Sequence, residues 1–350
     1  MTKASKSLAG NLASKATTGP ATNGTGHQPL RSETGTAEDG TPLAFNRCSD
    51  DRIRPWVGRS MVVFAYSKSA KDQQQAMVYG QLCNDCAYLR TAVGVNWTAG
   101  TAQGPMEFRD ETFLCGQHST VMPLRYAGGI KVAGLMLRPG ALRALFGLHD
   151  GEMLDRITLI KDVGIPDREV TGLFNLDSNP SDWLEAIEDW LADYVVKNGI
   201  APPDPLSQAL ELQAFADPNC VLSEFAEEQG VSPRTVERAA KRDFGLTPKQ
   251  IMRRARILDL AAQLCGVADE EEEEIILRFF DQAHQIREFH AFFNMTPGDF
   301  VAHRADGSGR SALVTLSLEI RQARRLELLD RIRPGAVRPW MRRAFLDAAE

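Results

Sequence analysis

The chain has 350 residues, of which 43% are hydrophobic and 25% charged, with a formal net charge of −6. That length suits two compact domains plus tails at roughly 150 residues per domain, and the near-average composition excludes neither an enzyme nor a binding protein. The negative balance does exclude a whole-chain basic signature, so any nucleic-acid surface has to be local. The scattered cysteines Cys48, Cys83, Cys86, Cys115, Cys220 and Cys265 read as reduced thiols in a chain of this length. No window reaches the roughly 18 apolar residues of a membrane span, and the N-terminus lacks the apolar core of a secretory signal. A cytoplasmic protein without a membrane partner is expected, with the Asn96-Trp97-Thr98 sequon unglycosylated.

Residues 1–42 are rich in Ser, Thr, Ala, Gly and Asn and poor in side chains that repay the entropy of ordering, which predicts a disordered tail. From Phe45 to Asp162, apolar runs such as Met61-Val62-Val63-Phe64-Ala65-Tyr66 and Ile130-Lys131-Val132-Ala133-Gly134-Leu135-Met136-Leu137 are broken by Gly and Pro. Those are strand signals, and they point to a small antiparallel barrel or sandwich rather than βαβ units. Over 182–196, Trp183, Ile187, Trp190, Leu191 and Tyr194 recur at helical spacing with acids opposite, giving an amphipathic helix that either packs on the barrel or mediates dimerisation. Ala201-Pro202-Pro203-Asp204-Pro205 interrupts any helix and marks a boundary.

Beyond the boundary, residues 221–229 read as a short helix and Gly230-Val231 as a turn. Ser232-Pro233 then reads as an N-cap followed by proline at the first helical position. On the helix that starts there, Val236, Ala240 and Phe244 fall inward, while Arg234, Thr235, Glu237, Arg238, Lys241 and Arg242 spread outward. Arg234 and Arg238, one turn apart, can each bridge the two acceptors of a guanine edge in a major groove, and Lys241 and Arg242 suit phosphates. A solvated basic helix is the bland alternative. Phe244-Gly245-Leu246-Thr247-Pro248-Lys249-Gln250 ends this helix and opens a long one running to Leu264. The pattern recurs in residues 279–289 followed by Phe292-Phe293-Asn294-Met295-Thr296-Pro297.

These two stretches resemble the paired helix-turn-helix units of the AraC/XylS family of transcription regulators, over roughly residues 206–300. The resemblance implies an α+β protein in which an N-terminal β-barrel precedes an all-α DNA-binding domain whose two recognition helices enter successive major grooves. It implies base-facing roles for Arg234, Glu237 and Arg238 in the first unit and for Gln282, Ala283, His284, Ile286 and Arg287 in the second. A weaker resemblance, carried by Leu137-Arg138-Pro139-Gly140-Ala141-Leu142, Phe146-Gly147-Leu148 and Leu154-Asp155-Arg156, links the first domain to the cupin-like sensor domains of that family. The expected division is a tail (1–42), a sensor and dimerisation domain (43–200), a linker with first helix (201–216), the double helix-turn-helix (217–300) and a basic helical extension (301–350). Duplex DNA is the implied partner. A small-molecule effector, a second copy of the chain and RNA polymerase are further candidates, and no cofactor is called for.

Charge divides the two units. Residues 231–256 hold eight bases and two acids, whereas residues 257–300 hold two bases, Arg278 and Arg287, against ten acids that include the run 270–274. The first unit is therefore expected to carry most of the DNA affinity. Arg278 stands where a turn glycine is expected and Gln285 where an apolar residue is usual, so the second unit reads as a reduced reader or a protein-contacting module.

Cys83, Cys86, Cys115 and His118 offer three thiols and an imidazole at zinc-like gaps, giving a metal- or redox-sensing alternative. The spacing converges only if Gly116 opens a turn; otherwise these are buried cysteines and a surface histidine. A nucleophile elbow, HExxH, P-loop and dinucleotide fingerprint are all missing from the sequence, which argues against an enzyme. The extension 301–350 carries ten arginines against six acids. Leu313, Leu316, Ile320, Ala323 and Leu326 place that charge on an amphipathic helix, expected to be solvated or to touch phosphates non-specifically.

Overall fold

A computed structural model describes residues 44–65, 77–127, 130–175, 177–268, 282–305 and 312–332. The expected disordered tail, Arg278, the acidic run 270–274 and everything after 332 lie outside them. Eight strands form one antiparallel sheet: β1 (Ala44–Cys48), β2 (Val57–Ala65), β3 (Met77–Leu82), β4 (Tyr88–Thr101), β5 (Gly104–Cys115), β6 (Met122–Ala127), β7 (Ile130–Leu137) and β8 (Ile157–Leu159). The order β1-β2-β7-β4-β5-β8 is continuous, with β6 added to β4 and β3 to β6. Strand β4 changes partner along its length: Tyr88 to Ala92 pair with β7, and Asn96 to Ala99 with β6. Between the two stretches Gly94 takes φ 72° and the β4–β5 register shifts. A residue without Cβ adopts that conformation readily, and the irregularity curls the sheet into a half-barrel.

Period-two alternation gives the sheet two apolar faces. Val62, Leu89, Leu114, Ala133, Leu135 and Leu137 point to one of them and pack beneath helix α1 (Ala141–Phe146) and helix α3 (Pro180–Asn198); the short helix α2 (Asp167–Thr171) lies between those two in sequence. Helix α3 buries Trp183, Ile187 and Leu191 there, so the apolar stripe read from the sequence is used within the chain. Met61, Val63, Tyr88, Ala92, Phe113, Cys115 and Met136 point to the opposite, inner face.

The helical part consists of α4 (Pro205–Ala216), α5 (Leu222–Glu228), α6 (Pro233–Phe244), α7 (Pro248–Leu264), α8 (Gln282–Phe293), α9 (Pro297–Ala305) and α10 (Ala312–Ile332). Helix α10 departs from expectation. It is not a solvated surface helix: Leu313, Leu316 and Ile320 fill the inner face of the half-barrel, while Val314 and Leu318 pack on α7 and α8 residues. Two of its arginines are buried as well. Arg321 pairs with Asp85 at 2.8 Å and Asp259 at 2.7 Å. Arg324 pairs with Glu211 at 3.5 Å and Glu327 at 3.2 Å. The charge counted as a phosphate-binding surface is here neutralised inside the fold, as a buried guanidinium requires. The half-barrel and the helical part therefore share a core through a helix that follows both in sequence.

Candidate nucleic-acid interface

Helix α6 starts where the sequence places it. Ser232 Oγ accepts from the Thr235 amide at 3.2 Å, and Pro233 occupies the first helical position, whose missing N–H removes no helical bond. Its inner side, Val236, Ala240 and Phe244, is buried against Leu210, Phe225, Ile251 and Met252. Gly230 at φ 65° makes the preceding turn and Gly245 at φ 65° ends the helix. Gly245 also meets the half-barrel so closely that a Cβ there would lie 2.5 Å from the Cα of Gly151.

The outer side carries the predicted readers, in three different conditions. Arg234, Glu237 and Arg238 are exposed, and the two arginines make no ion pair among the described residues. Thr235 is half-buried, with its hydroxyl 2.9 Å from that of Ser232, and belongs to the cap. Lys241 Nζ donates to the Gly245 carbonyl at 3.0 Å, and Arg242 donates to Asp204 and Asp243. The predicted phosphate contacts are thus engaged internally, while the predicted base readers are not.

The second unit repeats the local chemistry. Thr247 caps α7 with Gln250 answering from the third helical position, and Thr296 caps α9 through the Asp299 amide at 3.2 Å while its own hydroxyl donates to Asp299 Oδ2 at 2.7 Å. In each case proline follows the cap, which is why Thr-Pro recurs. Phe289 and Phe293 of α8 pack with Phe300 of α9, with ring centroids 4.6–5.3 Å apart, and anchor α8. Ala283, Ile286 and Arg287 are on the exposed side. His284 is half-buried with Nε2 3.4 Å from Glu288, and Gln282 opens the helix with its side chain outside the described residues.

The bases of residues 231–256 do not form one phosphate-attracting face. Arg254 is buried and donates to the half-barrel, to the carbonyls of Asp85 at 2.7 Å and His118 at 3.2 Å and to Gln117 Oε1 at 2.7 Å. Arg253 and Arg256 lie 3.5 and 3.6 Å from Glu288 of α8. Helix α7 thereby braces the two units instead of presenting all of its charge to solvent. Periodicity could have placed Arg254 inward, since it lies three residues beyond buried Ile251 and four before buried Leu258. Total charge could not.

The cysteine–histidine constellation does not assemble. Strand β5 ends at Cys115 and the chain then turns, bringing His118 Nε2 to 3.7 Å from Cys115 Sγ. Cys83 instead faces the Val314 carbonyl at 3.8 Å, and among the described residues no group of three or more His, Cys, Asp or Glu side chains could hold a metal. His118 is not a surface histidine: it is fully buried, and burial pushes its pKa down to about 3. Burial also raises the Cys83, Cys86 and Cys115 thiols above their usual value, which disfavours the thiolate.

Residues 225–303 match the family model described as a helix-turn-helix domain. No curated protein matches the chain significantly. Among solved structures it is similar to an apo variant of ToxT from Vibrio cholerae, with 10% identity over 73% of this chain and 99% of that one and a TM-score of 0.39. It is similar also to ToxT from the same organism with an unsaturated fatty acid bound, with 10% identity over 74% and 93% of the two chains and a TM-score of 0.38.

Proposed function

We propose that this chain, whose residues 225–303 are an AraC-type helix-turn-helix domain, is a sequence-specific, DNA-binding transcription regulator. The carrying observation is α6: a capped helix locked on one side by a buried apolar core and presenting Arg234, Glu237 and Arg238 on the other. Guanidinium groups one turn apart on such a helix suit adjacent base pairs in a major groove. Helix α8, with Ala283, Ile286 and Arg287 outward, is the second and weaker reader, because it offers one guanidinium where α6 offers two.

Response to a small-molecule effector is supported by a cavity of about 440 Å³ between the half-barrel and the second unit. Tyr79, Thr98 and Arg125 line it from the sheet, and Met295, Phe300 and His303 from the α8–α9 region. An occupant there would touch both parts of the protein at once.

Selection of duplex sequences by the purified protein tests the reading. Recovery of an enriched motif, with binding that weakens steeply as salt rises, is the expected result. No enrichment at moderate salt would overturn it in favour of a helix-turn-helix module used for protein contacts.

A further inference from the structure

Arg242 and a residue of helix α1, which packs on the half-barrel, share one buried carboxylate. Asp243 of α6 has a fully buried side chain. Its Oδ2 accepts from Ser207 Oγ at 2.6 Å and from Arg242 Nη2 at 2.6 Å, while Oδ1 accepts from Arg242 Nε at 2.8 Å. Oδ1 also receives Arg143 of α1, through Nη2 at 3.3 Å and Nε at 3.4 Å. The fit is close, because a Cβ on Gly140 would lie 3.0 Å from the same carboxylate. Arg242 has a second acid, Asp204 at the cap of α4, at 2.6 Å.

The cluster holds two cations and two anions, and only Asp243 is sealed from solvent. Arg242 is 39% exposed, one turn beyond Arg238 on the face that would meet DNA, so a backbone phosphate can compete for it. A buried carboxylate stripped of cations is strongly unfavourable. Arg242 can therefore leave Asp243 only if another cation stays, and Arg143 is the cation placed to do so.

We propose that Arg143 is a positioning residue for DNA contact: by holding Asp243 it releases Arg242 to a phosphate, so that the half-barrel sets the affinity of the first recognition helix. The inference rests on the DNA-binding reading above. Any shift of α1 relative to α6 then changes the number of phosphates neutralised without altering a base contact.

The test is a double-mutant cycle on the full chain, with titration of a mixed-sequence duplex across a range of salt. Arg242→Ala should weaken binding about fivefold and lower the salt slope by about 0.9, the value of one phosphate contact. Arg143→Ala should do the same although it meets no DNA, Arg143→Lys should restore the wild-type slope, and the double variant should match Arg242→Ala alone. A merely structural Arg143 would lower the melting temperature and leave the slope unchanged. An unchanged slope in Arg143→Ala, or additive losses in the double variant, would overturn the proposal. Failure of the wild-type chain to bind duplex at low salt would instead remove the reading beneath it.

Discussion

Replacing Asp150 by asparagine should make the protein more stable, and increasingly so as the solution becomes less acidic. Asp150 lies in the loop between α1 and β8 that rests on the end of α6, and it is 3% exposed. Gln117 Nε2 donates to its Oδ1 at 3.3 Å, and its Oδ2 has no hydrogen-bond partner among the described residues. Burial pushes the carboxyl up from 3.8 to about 8, helped by the charge of Asp243 and opposed by Gln117, Arg143 and Arg254. The native state therefore keeps a proton that the unfolded chain releases above pH 3.8. Folding stability falls as pH rises through that window and levels off above about 8. One proton contributes about 1.4 kcal/mol per pH unit, so from about pH 5 to about pH 7 this group alone removes about 3 kcal/mol. Asp150→Asn keeps the shape and cannot ionise. Urea unfolding of both proteins at several pH values should show the advantage of the variant growing by that amount across the interval. The opposing contribution of His118, whose lowered pKa favours the native state as pH rises from about 3 to 6.5, cancels in the comparison. A difference independent of pH would show that Asp150 is ionised in the native protein and refute the reasoning.

Arg234→Ala or Arg238→Ala should weaken binding to a selected duplex by roughly 5- to 150-fold, from the 1–3 kcal/mol of a bidentate base contact, and Arg287→Ala by less. Equal losses in titrations at fixed salt would remove the asymmetry between the units. Ending the chain before Ala312 removes Leu313, Leu316 and Ile320 from the inner face of the half-barrel, at roughly 1.5–3 kcal/mol each. That sum is comparable to the whole stability of a domain, so the truncated protein should bind a hydrophobic dye and melt without cooperativity; a wild-type melting curve would show that α10 is dispensable.

What could be read from the sequence were the features whose cause is local. Ser232-Pro233 and Thr247-Pro248 start helices because their own side chains and rings satisfy the first turn, and the near-continuous apolar runs in β2 and β7 suit strands of a sheet covered on both faces. The outward position of Arg234 and Arg238 needs only the period of the helix. Tertiary structure decided which charges remain for a partner. Arg242, Arg254 and Arg321 look equivalent as letters, yet they meet Asp243, Gln117 and Asp259 respectively. The last two of those partners lie more than 60 positions away in sequence. The same holds for α10, whose apolar stripe states that one side must be covered but not by what. Its partner is the inner face of the half-barrel, to which β2 to β7 all contribute, a surface that exists only after the sheet has curled. Amphipathicity and net charge belong to a segment, whereas burial and ion pairing belong to whatever that segment meets.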